Sequence, residues 1–156
     1  MRWTESVDVE RPLALVREAV LDQEQLMQWS AWPEATGFTC AVEGDGRSPG
    51  SQVVFRDRSG TVQGRQTITG VDETVVRNRL ANRGPLGREI TPEVDFRLEA
   101  LGPQRTRVHL DFRGRAPLPA PLRQLVEVPL GRWVRRLHVK DLAQLKAHVE
   151  RQPVSR

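Results

Sequence analysis

The sequence predicts an α+β fold, a curved antiparallel sheet of about seven strands with two short helices, wrapped around a long C-terminal helix. Three observations predict it. Residues 93–113 alternate between apolar and polar side chains, residues 130–149 carry apolar side chains at helical spacing, and a shorter helical period occupies residues 11–32. A sheet with one apolar face needs a cover, and the last segment is the only long amphipathic element, so it must lie across the sheet.

The elements follow in chain order. "WTESVDV" at residues 3–9 places Trp3, Glu5, Val7 and Val9 on one side and reads as a first strand. In "RPLALVREAVLD" Pro12 sits at a first-turn position, and Leu13, Val16, Ala19 and Val20 recur at helical spacing. Asp22 with Gln25 resembles a capping box, opening a second short helix that carries Leu26 and Trp29. Pro33 disfavours helical geometry at the residue before it, so this helix is expected to end near Trp32.

Residues 36–114 read as strands and turns. Phe38, Cys40 and Val42 alternate, "EGDGRSPGS" turns the chain, and Val53 and Phe55 resume the alternation before a turn at "RDRSG". "TVQGRQTITGV" and "TVVRNRLANR" form a hairpin around Asp72 and Glu73. Val94, Phe96, Leu98 and Ala100, then Thr106, Val108, Leu110 and Phe112, give a dry face, with charged residues between them on the wet one. "RAPLPAP" ends the sheet. The long helix is expected from about residue 122 to 151, with a kink or break at Pro129. Residues 1–151 are read as one domain, and 152–156 as a frayed tail.

Composition narrows the function. Hydrophobic residues make up 38% of the 156 and charged residues 28%, an ordinary balance for a globular chain, and no apolar run is long enough for a membrane span. The charged N-terminus lacks the apolar core of a signal peptide, and the lone Cys40 cannot form an internal disulfide, so a cytoplasmic protein is expected. The net charge of +4 comes almost entirely from arginines scattered among acids, as in "EVDFRLE". That pattern describes a solvated sheet face, and no nucleic-acid partner is expected.

Chemical motifs are few. There is no phosphate-binding loop, His109, His138 and His148 lack metal-ligand spacing, and Cys40 takes a core-facing strand position away from any base. No metal, cofactor or catalytic residue is expected. Two constellations remain. Asn78 and Asn82 share a strand face with Val76 and Leu80, so their amides either orient a ligand's polar group or bond to main chain within the sheet. Asp141 lies in the apolar stripe near Val134, Leu137 and Leu145, with His138 three residues earlier. Either an arginine neutralises it, or Asp141 and His138 are polar contacts at a cavity, with an acid/base pair as the sharper form of that reading.

The opening strand with "RPLALVREAVLD", the tryptophan pair of "QWSAWPEA", the hairpin "EGDGRSPGSQVVF" and the closing "LHVKDLAQLKAHVE" together resemble the START-like, helix-grip superfamily (SRPBCC), and within it the polyketide cyclase/dehydrase and lipid-transport group. The resemblance implies a cavity between sheet and long helix that holds a small hydrophobic molecule, in a monomer or homodimer without integral membrane association. Its walls would include Trp29, Trp32, Phe55, Phe96, Trp133 and Leu137, with Asn78, Asn82, His138 and Asp141 as polar contacts. Trp29 and Trp32 would pack under the long helix, line the cavity, or both. The resemblance implies a binding protein for a lipid-, polyketide- or isoprenoid-like ligand, with an aromatase/cyclase or dehydratase as the alternative. A protein-interaction or quinone-handling module is a further alternative.

Overall fold

The structure is a computed structural model, and it describes residues 1–153. Strand β1 (Arg2–Val9) is followed by three helices, α1 (Leu13–Leu21), α2 (Gln23–Trp29) and α3 (Trp32–Thr36). Seven strands come next: β2 (Thr39–Glu43), β3 (Gln52–Arg56), β4 (Val62–Val71), β5 (Val75–Arg83), β6 (Glu89–Ile90), β7 (Glu93–Gly102) and β8 (Arg105–Arg113). Helix α4 (Ala120–Glu150) closes the fold. This is the helix-grip α+β arrangement.

The sheet is antiparallel, in the order β1-β8-β7-β5-β4-β3-β2, with the short β6 beside β5. Helices α1–α3 therefore carry the chain from one sheet edge, β1, to the other, β2. Register shifts at Phe55/Arg56, Ile68/Gly70 and Ala100/Gly102 add twist, which lets the sheet curl toward α4. Its inner face supplies Val53, Ile68, Val76, Val108 and Leu110, each at most 1% exposed. The outer face is wet and ion-paired, as in Arg97–Asp111 and Arg113–Glu93.

The sequence reading needs four corrections. There are three short helices, because Pro33 falls in the first turn of α3, where its missing N–H is not needed. Helix α2 stops at Trp29, Ser30 is extended, and the helix resumes at Trp32. Asp22 does cap α2, accepting the Glu24 N–H at 3.0 Å, but Gln25 bonds to His148 and Gln152, so there is no reciprocal box. Helix α4 starts at Ala120 and runs through Pro129 without a break. Finally, the two-residue β6 was too short to carry a period and adds an eighth strand. Of the predicted frayed tail, residues 154–156 lie outside the described residues.

The later half of α4 is the more tightly packed. His138, Leu142, Leu145 and Val149 are buried against the sheet, α1 and α2, whereas Leu130, Val134 and Leu137 are half-buried and Trp133 is exposed. Earlier in the helix Gly131 is buried close to Met1 and Trp3 at the β1 edge, and a space lies beneath the neighbouring turns.

Candidate functional site

That space is a partly open cavity of about 360 Å³ between the inner sheet face and α4, closed at one end by the α2–α3 turn. Its walls are mainly apolar. Trp29 ends α2 and is 2% exposed, with its indole Nε1–H donated to the Ala19 carbonyl at 2.9 Å and its ring edge-on to Phe96, 5.9 Å between centroids. Trp32 begins α3 and meets Phe55 on one side at 6.4 Å and Trp133 of α4 on the other at 5.6 Å. The tryptophan pair therefore does two jobs. Trp29 fixes α2 against α1, and Trp32 bridges sheet and helix across the cavity.

The chain break between these rings is held by Asp141. Its Oδ1 accepts the Ala31 N–H at 2.7 Å, and the Ser30 hydroxyl adds a second hydrogen bond. Of the two sequence alternatives, the arginine pair is not found among the described residues; the Ala31 N–H and the Ser30 hydroxyl of the α2–α3 turn are the partners instead. Burial nevertheless pushes the Asp141 carboxyl up to about 7, and these hydrogen bonds offset only part of that effect. Near neutrality it is a carboxyl that can give or take a proton.

His138 has a different partner from the one the sequence suggests. It does not hydrogen-bond to Asp141; its Nδ1 accepts the Trp3 indole N–H at 3.0 Å, and Trp3 stacks on Phe112 at 4.2 Å. Burial pushes the imidazole down to about 4, so the ring is neutral with its proton on Nε2. That Nε2–H has no protein acceptor among the described residues. His138 is also part of the cavity wall.

The two asparagines separate. Asn82 lies in the cavity wall opposite Gly64 on β4, and its amide has no hydrogen-bond partner among the described residues. A Cβ on Gly64 would come within 2.2 Å of Asn82 Oδ1, so the glycine is what lets this amide lie flat against the strand. Asn78 points to the same side but is packed within the sheet between Ile68 and Val94, outside the cavity wall, and its buried Nδ2 is unpartnered. Asn78 is thus set beside the cavity wall, next to Val94 and two residues before the wall begins at Leu80, and does not itself line it.

Phe55, Phe96, Trp133 and Leu137 all line the cavity. Sequence reasoning missed Gln66 and Arg83, which line it too, and the Trp3–Phe112 stack behind His138. Gln66 was legible, since period two from Ile68 and Gly64 turns it inward. Cys40 is half-buried, and burial pushes its thiol up to about 11. Among the described residues no group of His, Cys, Asp or Glu could hold a metal ion.

A curled sheet gripping a long helix over an apolar chamber defines the helix-grip class. A family model described as polyketide cyclase/dehydrase and lipid transport matches residues 1–150, and the chain belongs to that family. Solved structures agree on the fold. Protein CV1439 from Chromobacterium violaceum is 20% identical with a TM-score of 0.67, covering 97% of this chain and 98% of its own. The Zhui aromatase/cyclase from Streptomyces sp. R1128 is 20% identical with a TM-score of 0.60, covering 97% and 94%. Protein jhp0584 from Helicobacter pylori is 13% identical with a TM-score of 0.65, covering 96% and 88%. No curated protein matches the chain.

Proposed function

We propose that this protein binds one small hydrophobic molecule, lipid-, polyketide- or isoprenoid-like, between the sheet and α4. The observation that carries the reading is the combination of a 360 Å³ apolar chamber with a few polar groups, Asn82, Gln66 and the His138 Nε2–H, left without protein partners among the described residues. Apolar walls supply affinity through burial, and unpartnered donors and acceptors select for a ligand that satisfies them. Trp29, Trp32, Phe55, Phe96, Trp133 and Leu137 are the proposed contacts, with Asn82, His138 and Asp141 as the polar ones. Titration with the neutral dye N-phenyl-1-naphthylamine tests this. Blue-shifted emission saturating at one dye per chain, and displaced by apolar competitors, is expected; no saturable binding would refute it.

Asp141 favours a second reading, an aromatase/cyclase or dehydratase. A carboxyl titrating at about 7 in a cavity wall can serve as general acid or base at neutral pH, and a structural neighbour is named as an aromatase/cyclase. On that reading Asp141→Asn abolishes turnover of a poly-β-ketone and leaves dye affinity unchanged.

A further inference from the structure

The molecule's exposed apolar residues are concentrated at one end. Among the described residues seven large hydrophobic side chains are exposed, and five of them, Leu86, Leu122, Leu125, Val128 and Trp133, belong to the β5–β6 connection and the first half of α4. Leu86 is 85% exposed at the tip of the 3₁₀ turn Pro85–Gly87, with a positive φ of 59°, and Leu125 is 74% exposed. A leucine held left-handed at a turn tip with its side chain in water stabilises nothing within the chain.

The same end carries unneutralised charge. Many arginines on the outer sheet face are paired, Arg65 with Glu43, Arg79 with Glu93, Arg107 with Asp8. Arg83, Arg88, Arg115 and Arg123 have no carboxylate partner among the described residues. Arg88, Arg115 and Arg123 line one groove beside Leu118, and the Gly84 N–H bonds to the Arg88 carbonyl at 2.7 Å, which ties that groove to the cavity wall at Arg83. Of the acids in residues 83–90 and 115–133, Glu89 and Glu127, the second is already committed to the Ala116 N–H at 2.8 Å.

We propose that this end docks on an anionic lipid bilayer, with Leu86, Leu122, Leu125 and Val128 entering the headgroup region and the four arginines pairing with lipid phosphates. Protruding apolar side chains with a basic surround match the two components of such a surface. A second copy of the chain is a poorer match, because an isologous contact would press the arginine patch against itself. Docking would bring the cavity opening against the bilayer, but it does not depend on what the cavity holds.

Co-sedimentation with vesicles tests the proposal. The protein should bind phosphatidylcholine vesicles containing roughly 30% phosphatidylglycerol and leave pure phosphatidylcholine vesicles in solution, with binding reduced by salt. Arg115→Ala with Arg123→Ala should weaken binding roughly 25-fold, about fivefold per arginine. Leu125→Glu should abolish it, and Arg58→Ala, in the β3–β4 turn, should not change it. Arg58, Arg115 and Leu125 are exposed and Arg123 is half-buried without a carboxylate partner among the described residues, so folding, checked by circular dichroism, should be unaffected. Equal binding to both vesicle types, binding to neither, or a concentration-dependent dimer that Leu125→Glu dissolves would each overturn the proposal.

Discussion

His138 and Asp141 should oppose one another in the pH dependence of stability, and removing either should uncover the other. The Asp141 carboxyl is raised from its ordinary 3.8 to about 7. Between those values the folded protein keeps a proton that the unfolded chain releases, so stability falls as pH rises. The His138 imidazole is lowered from 6.5 to about 4. In that window the unfolded chain takes a proton that the folded protein refuses, so stability rises with pH. At about 1.4 kcal/mol for each tenfold displacement of a proton equilibrium, the Asp141 effect reaches at most about 4 kcal/mol and the His138 effect about 3 kcal/mol. From pH 4 to 6.5 the two nearly cancel.

Asn at 141 and Gln at 138 keep a hydrogen-bond acceptor toward Ala31 and Trp3 but do not titrate. Urea denaturation followed by tryptophan fluorescence, at pH values from 4 to 8, measures each variant relative to wild type, which removes the background shared by the surface carboxylates. Relative to wild type, Asp141→Asn should gain up to about 4 kcal/mol as pH rises from 4 to 7, and His138→Gln should lose up to about 3 kcal/mol from pH 4 to 6.5. Differences that stay constant across this range for both variants would refute the buried, neutral assignment of the two groups.

Other expectations follow from the same geometry. Gly64→Ala should cost about 1–3 kcal/mol by forcing the Asn82 amide aside, and Asn82→Ala in the same chain should restore most of it in a double-mutant cycle. Asn78→Leu should stabilise by about 1 kcal/mol, because it removes a buried unpartnered amide, and should leave dye affinity unchanged in a fluorescence titration. Trp29→Ala should cost about 3–5 kcal/mol in denaturation, whereas Trp133→Ala, at an exposed position, should cost under about 1 kcal/mol and act mainly on dye affinity.

The alternation around Phe96 and Leu110 and the stripe at Leu142, Leu145 and Val149 made sheet and long helix readable, because burial on one face imposes a period. The α2–α3 break was not readable. Its stability rests on Asp141, 110 residues away, and no local pattern reports a carboxylate that caps a distant turn. The same holds for Gln23, whose amide and backbone join α2 to the β2–β3 loop through Ser51 and Gly46. Asn78 and Asn82 are indistinguishable by period alone. Gly64 across from Asn82 and the end of packing at Leu80 are three-dimensional facts that separate them.

Native mass spectrometry, on the protein as purified and after incubation with a fatty acid, an isoprenoid alcohol and an aromatic polyketide, tests the proposed occupancy most directly. The expected result is a one-to-one adduct that departs on denaturation and is lost when Leu80→Phe fills the chamber. No adduct under any of these conditions, or one that Leu80→Phe leaves intact, would contradict binding in the cavity beneath α4.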